Sequence, residues 1–128
     1  HYAAVANRDE LMIGAIAADF WEQEPRARWE ATLDFPGIDR QFLITAAGDS
    51  NTFQLKDPRN DRLMRTFQRG MPMARRTIEW AFSRKQLGLQ GVFAVKDTVN
   101  IRLRTVFRDG DQDVLCDETS WFSPVISD

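Results

Sequence analysis

The residues whose type and spacing bear most on chemistry are Arg62, Arg65, Arg69, Arg76 and Trp80. A guanidinium fork suits bidentate recognition of carboxylate or phosphate, and it stacks on aromatic rings. On a helix, Arg76 and Trp80 stand one turn apart, the spacing of a cation–π contact. Arginine and tryptophan are also enriched where binding energy concentrates. At about 100° per residue, these five share one side of the stretch 58–87. Leu63, Phe67, Met71, Ala74, Ile78, Ala81 and Phe82 share the other. The favoured expectation is a non-catalytic interaction or assembly domain of a larger protein. It would dock an acidic protein partner through an Arg/Trp face of a long helix. The competing explanation is compositional. Arginine outnumbers lysine 14 to 3, a bias that a GC-rich genome produces without selection for guanidinium chemistry.

Other chemistry is sparsely represented. The chain lacks a Walker loop, a dinucleotide-binding glycine motif, H-E-x-x-H, C-x-x-C and G-x-S-x-G. His1 is the only histidine, which removes Ser-His or Cys-His nucleophile pairs and ordinary histidine zinc sites. No cofactor or metal is expected, and an enzyme of this sequence would depend on carboxylates, arginine or Tyr2. Asp109-Gly110-Asp111-Gln112-Asp113 begins like a calcium loop. The loop's glycine position holds Val114 and its glutamate position holds Ser120, so the match fails. Cys116 is the only cysteine and lies on an expected strand, so no internal disulfide forms and a buried, inert thiol is expected.

Composition bounds the rest. With 128 residues, 43% hydrophobic and 28% charged, the chain reads as one soluble domain over residues 1–128 with a real core. It begins at His1, and we expect a piece excised from a longer protein. No apolar run approaches the length of a membrane span. The net charge of −2 conceals a segregation: nine basic and three acidic residues lie between Lys56 and Lys85, against six acidic and no basic residues from Asp109 to Asp128. Nucleic acid is the weaker partner expectation, because a basic face on an acidic chain makes a small electrostatic footprint. The oligomeric state stays open.

The elements that must position these residues follow from periodicity. Asn7 and Glu10 form a capping box for a first helix over residues 8–24, ended by Pro25. Residues 28–35 alternate, with Trp29, Ala31, Leu33 and Phe35 on one face and Arg28, Glu30, Thr32 and Asp34 on the other. Pro36-Gly37 suits a type II turn. Strands follow at residues 41–46 and 52–56. Asp57 and Pro58 then open the long helix as its cap and first residue. Gly70-Met71-Pro72 kinks that helix, and Gly88 ends it.

Strands at residues 91–96, 99–108 and 113–122 complete the order. A two-residue loop at Gly110-Asp111 sets the last hairpin so that Arg108 faces Asp113, Val106 faces Leu115, Thr105 faces Cys116 and Arg104 faces Asp117. The predicted class is α+β: an N-terminal helix, three antiparallel strands, a long kinked helix and three more strands, the helices on one face of a curved sheet. The alternative function on this scaffold is a small-molecule-binding, cone-like α+β domain or carboxylate-dependent enzyme. Its pocket would lie between long helix and sheet, near Trp21, Trp29 and Trp80.

Overall fold

A computed structural model describes residues 2–6, 10–16, 26–47, 52–60, 62–68, 77–83, 85, 87 and 99–126. Ten strands run through them: β1 (Tyr2–Ala6), β2 (Glu10–Ile16), β3 (Ala27–Phe35), β4 (Arg40–Ala47), β5 (Thr52–Asp57), β6 (Arg62–Gln68), β7 (Thr77–Ser83), β8 (Asn100–Asp109), β9 (Gln112–Glu118) and β10 (Val125–Ile126). They form a four-stranded sheet, β10-β1-β2-β7, and a six-stranded sheet, β6-β5-β4-β3-β8-β9. Every pairing is antiparallel except β1 with β10.

One apolar core joins the two sheets. The four-stranded sheet contributes Ala4, Ala6, Leu11, Ile13 and Ala15. The six-stranded sheet contributes Trp29, Leu33, Phe42, Ile44, Phe53, Leu55, Ile101 and Leu103 among others. Both sheets bring small and large side chains to this core, Ala15 beside Ile13 and Ala31 beside Leu33, so that the two inner faces can interdigitate. The chain also links the sheets covalently. After β9, Phe122 makes two backbone hydrogen bonds with Ile101 (2.7 and 2.9 Å), and its ring meets Tyr2 of β1 at 4.4 Å. Three residues further on, β10 begins and pairs with β1.

The α+β expectation, with its arginine-rich helix face, is therefore overturned. Among the described residues there is no α-helix. The expected first helix holds β2, and the expected long helix holds β6 and β7 in different sheets. The kink at Pro72, the first helix beyond Ile16 and the strand expected at 91–96 fall outside the described residues.

The reasons are local. In β2, Leu11, Ile13 and Ala15 are buried, but Met12 on the opposite face is also apolar and 45% exposed. Apolar residues on both faces erase the alternation that marks a strand, and the remaining pattern imitates a helix. At Asp57 the side chain does accept a backbone N–H, that of Arg59 (2.9 Å), and Asn60 accepts that of Arg62 (2.9 Å). These are turn hydrogen bonds, and the same chemistry serves a helix cap. The segment is the hairpin turn between β5 and β6. Pro36–Ile38 forms a short 3-10 turn, not the type II turn expected. Asp39, at φ 50°, takes the left-handed position that the type II turn would have given to Gly37.

The strands expected at 28–35, 41–46, 52–56 and 99–108 are β3, β4, β5 and β8. The last hairpin follows its expected register only near the tip. Asp113 faces Arg108 and Leu115 faces Val106, with Gly110 at φ 61° in the first loop position, as a type II′ turn requires. Beyond that a bulge at Cys116 shifts the pairing, so Asp117 faces Thr105 and Glu118, not Asp117, faces Arg104.

Leu33 is fully buried on β3, the strand between β4 and β8. Leu33→Ala should lower unfolding free energy by about 2–5 kcal/mol in urea titration. A loss below about 1 kcal/mol would show that the two sheets do not close over this strand as described.

Candidate polar groove

The outward face of the six-stranded sheet carries the polar half of each alternating strand. One row across it runs Gln54 on β5, Thr45 on β4, Glu30 on β3 and Arg104 on β8, each the register partner of the next. Because the strand repeat is two, residues paired across strands point to the same side. Arg28 and Lys56 lie two residues along their strands from this row, on the same face. This face carries an open groove of about 510 Å³, lined by Arg28, Glu30, Leu43, Thr45, Thr52, Gln54, Lys56, Arg104, Arg108 and Asp113.

Two bulges flank the groove. Met64 is the extra residue between β5 and β6, and Cys116 is the extra residue between β8 and β9. A bulge bends its strand and increases local twist. Placed at both outer strand pairs, these two favour a curled sheet over a flat one.

The electrostatics centre on Glu30, a carboxylate only 4% exposed. A buried charge needs partners, and Glu30 has one on each side. Arg28 Nε donates to Oε2 at 2.9 Å, and Arg104 Nε donates to Oε1 at 2.5 Å. Arg28 also closes a bidentate pair with Asp113, Nη1 to Oδ1 at 3.2 Å and Nη2 to Oδ2 at 2.7 Å. Arg108 reaches the same carboxylate from Nη1 at 3.4 Å. The chain of charge Asp113–Arg28–Glu30–Arg104 thus alternates in sign across β9, β3 and β8. The Arg28 hydrogen bonds hold the Asp113 carboxyl below its ordinary range, with Arg108 adding to the effect. The bond to Asp113, followed by Glu30, raises Arg28 further still.

The helix expected to carry the five residues singled out from sequence is replaced, among the described residues, by β6 and β7 in different sheets. Arg62 and Arg65 are exposed on β6, opposite Asp57 and Leu55. Trp80 lies on β7 in the other sheet, paired with Ile13. Arg69 and Arg76 lie outside the described residues, as does Trp21. Trp29 is a core residue at 2% exposure, as its place on the apolar face of β3 implies, and does not line the pocket of the alternative reading. Asp113 is engaged by arginines, and no cluster of three metal-ligating side chains occurs among the described residues. Cys116 is half-buried at its bulge.

The groove residues were partly visible beforehand. Alternation placed Arg28 and Glu30 together on the outward face of their strand. Thr52, Gln54 and Lys56 alternate with Phe53 and Leu55 in the same way. Nothing in that pattern marks Glu30 as buried.

Glu30→Ala would leave Arg104 without its carboxylate and remove one of the two from Arg28. We expect a loss of about 3 kcal/mol in chemical denaturation; a loss under about 1 kcal/mol would remove Glu30 from the centre of the network. Asp113 makes a smaller, solvent-screened contribution. Because its folded carboxyl is lowered, its stabilisation is present above the ordinary carboxylate range and is lost as pH falls through the lowered value. Asp113→Asn should cost about 0.5–1 kcal/mol at neutral pH and nothing once that carboxyl is protonated. A cost that does not shrink in acid would contradict the pairing.

The chain matches no protein-family model, and a comparison with curated proteins finds no relative. The groove is therefore read from its own chemistry.

Proposed function

We propose that this protein is a binding domain whose ligand is a small acidic molecule held in the groove on the outward face of the six-stranded sheet. The observation that carries this reading is the lining. Nine of its ten residues are polar or charged, and four basic side chains (Arg28, Lys56, Arg104, Arg108) meet two acidic ones (Glu30, Asp113), a surplus of two positive charges. A chain of net charge −2 that gathers cations into one concavity favours an acidic ligand there. A groove of about 510 Å³ falls within the range of small-molecule sites, roughly 300–1,000 Å³.

Binding is favoured over catalysis by the state of the two carboxylates. Both oxygens of Glu30 and both of Asp113 accept arginine N–H groups. Neither has an oxygen left without a guanidinium partner for proton transfer. The acidic partner expected from sequence is retained in this reading. Its site moves from a helix face to a sheet face, and its size from a protein to a small molecule. Nucleic acid is disfavoured by the sequence pI near 5.4. No helix among the described residues is long and apolar enough to cross a membrane.

Gln54→Trp places a large ring in the groove without touching the Glu30 network. Thermal-shift measurements against a panel of small organic acids should find compounds that stabilise the natural protein and not the variant. A ligand at a hundredfold excess over its Kd adds about 2.7 kcal/mol. Equal stabilisation of both proteins, or none by any acid, would contradict the groove as the binding site.

A further inference from the structure

The two arginines beside Glu30 are not equivalent. Arg28 commits all three of its nitrogens, with Nε, Nη1 and Nη2 each donating to a carboxylate oxygen. Arg104 uses only Nε. Glu118 faces it across β8 and β9, yet the two make no ion pair, and Arg104 Nη1 and Nη2 have no acceptor among the described residues. The side chain lines the groove and is 36% exposed. The alternating row of charges therefore ends on a cation with two parallel donors open, the geometry that grips a carboxylate or phosphate.

The opposite wall has different chemistry. Thr45 and Gln54 line the groove on β4 and β5, and neither side chain hydrogen-bonds a described residue. A hydroxyl and a carboxamide each donate and accept, which matches ligand hydroxyls, since these also do both. β8 and β5 are three strand spacings apart, about 14 Å.

We infer that the groove selects a hydroxylated small acid of the sugar-acid or sugar-phosphate type. Its anionic group sits in the Arg104 fork and its hydroxyls lie against Thr45 and Gln54. This rests on the groove being the binding site, and it adds which ligand chemistry fits and which residue selects it.

The test is a titration of nitrogen-15-labelled protein with glucuronate, glucose 6-phosphate and glucose in separate samples. The Thr45 and Gln54 amides and the Arg104 Nε report binding. At least one of the two acids should move these signals and bind about tenfold more tightly than glucose. The ratio between glucuronate and glucose 6-phosphate shows which acidic group the fork prefers. Arg104→Lys keeps the charge and loses the fork, so it should weaken the preferred acid about tenfold and leave glucose unchanged. If that variant does not fold, Glu30→Gln with Arg104→Gln removes the paired charges together and should abolish the preference for acids. Equal binding of acids and glucose, or a preference that survives Arg104→Lys, overturns the inference while leaving the groove reading intact. Shifts confined to residues outside the groove overturn both.

Discussion

A buried carboxylate on a sheet face constrains everything around it. Glu30 is removed from water on β3, and its charge is compensated only if a guanidinium reaches each oxygen. One comes from its own strand and one from β8, so the β3–β8 register is fixed to the residue: a one-residue slip would send Arg104 to the other face. Arg28 extends the constraint to β9 through Asp113. Such a network adds little net stability compared with an apolar core of the same volume, because desolvating the charges offsets most of the attraction. What it adds here is a defined arrangement of four charged side chains on a surface that otherwise has no reason to be ordered.

The two faces of the six-stranded sheet divide the work. The inward face supplies nearly all of the apolar burial, with Leu33, Ile44 and Ile101 fully enclosed. The outward face is freed from core packing and carries the groove. The bulges at Met64 and Cys116 lie in the two outermost strand pairs, where they can bend the margins without breaking the central ladder. Fold and site are thus coupled through strand alternation. The periodicity that buries Trp29 and Ala31 turns Arg28 and Glu30 outward.

How much of this was legible in the sequence depended on how different the two faces of each strand are. β3 reads clearly because Trp29, Ala31, Leu33 and Phe35 alternate with charged or hydroxyl residues. β5 and β8 read for the same reason. β2 does not, because Met12 on its exposed face is apolar. β6 does not either, because the Met64 bulge breaks its period. Asp57-Pro58 carries a signal shared by helix caps and turns, and the turn won. The tip of the β8–β9 hairpin was readable from like-with-like pairing, while the bulge at Cys116 leaves no trace in residue type. The arginines of the groove were assigned to their strands, but the weight given to Arg62 and Arg65 depended on a helix that β6 and β7 replace. A groove built from five strands is a long-range property, and single-strand patterns do not report which outward-facing charge becomes buried.

The dependence of this face on the Glu30–Arg104 pair is tested most directly by a double-mutant cycle in chemical denaturation, using Glu30→Gln, Arg104→Gln and the two combined. Each single change leaves the other partner's charge behind and should be costly, while the combined change removes both and leaves Arg28 paired with Asp113. The account predicts that the double variant is less destabilised than the sum of the singles by about 1.5 kcal/mol or more. Costs that add to within about 0.5 kcal/mol would show that the two residues act independently, and that the groove is not organised around this carboxylate.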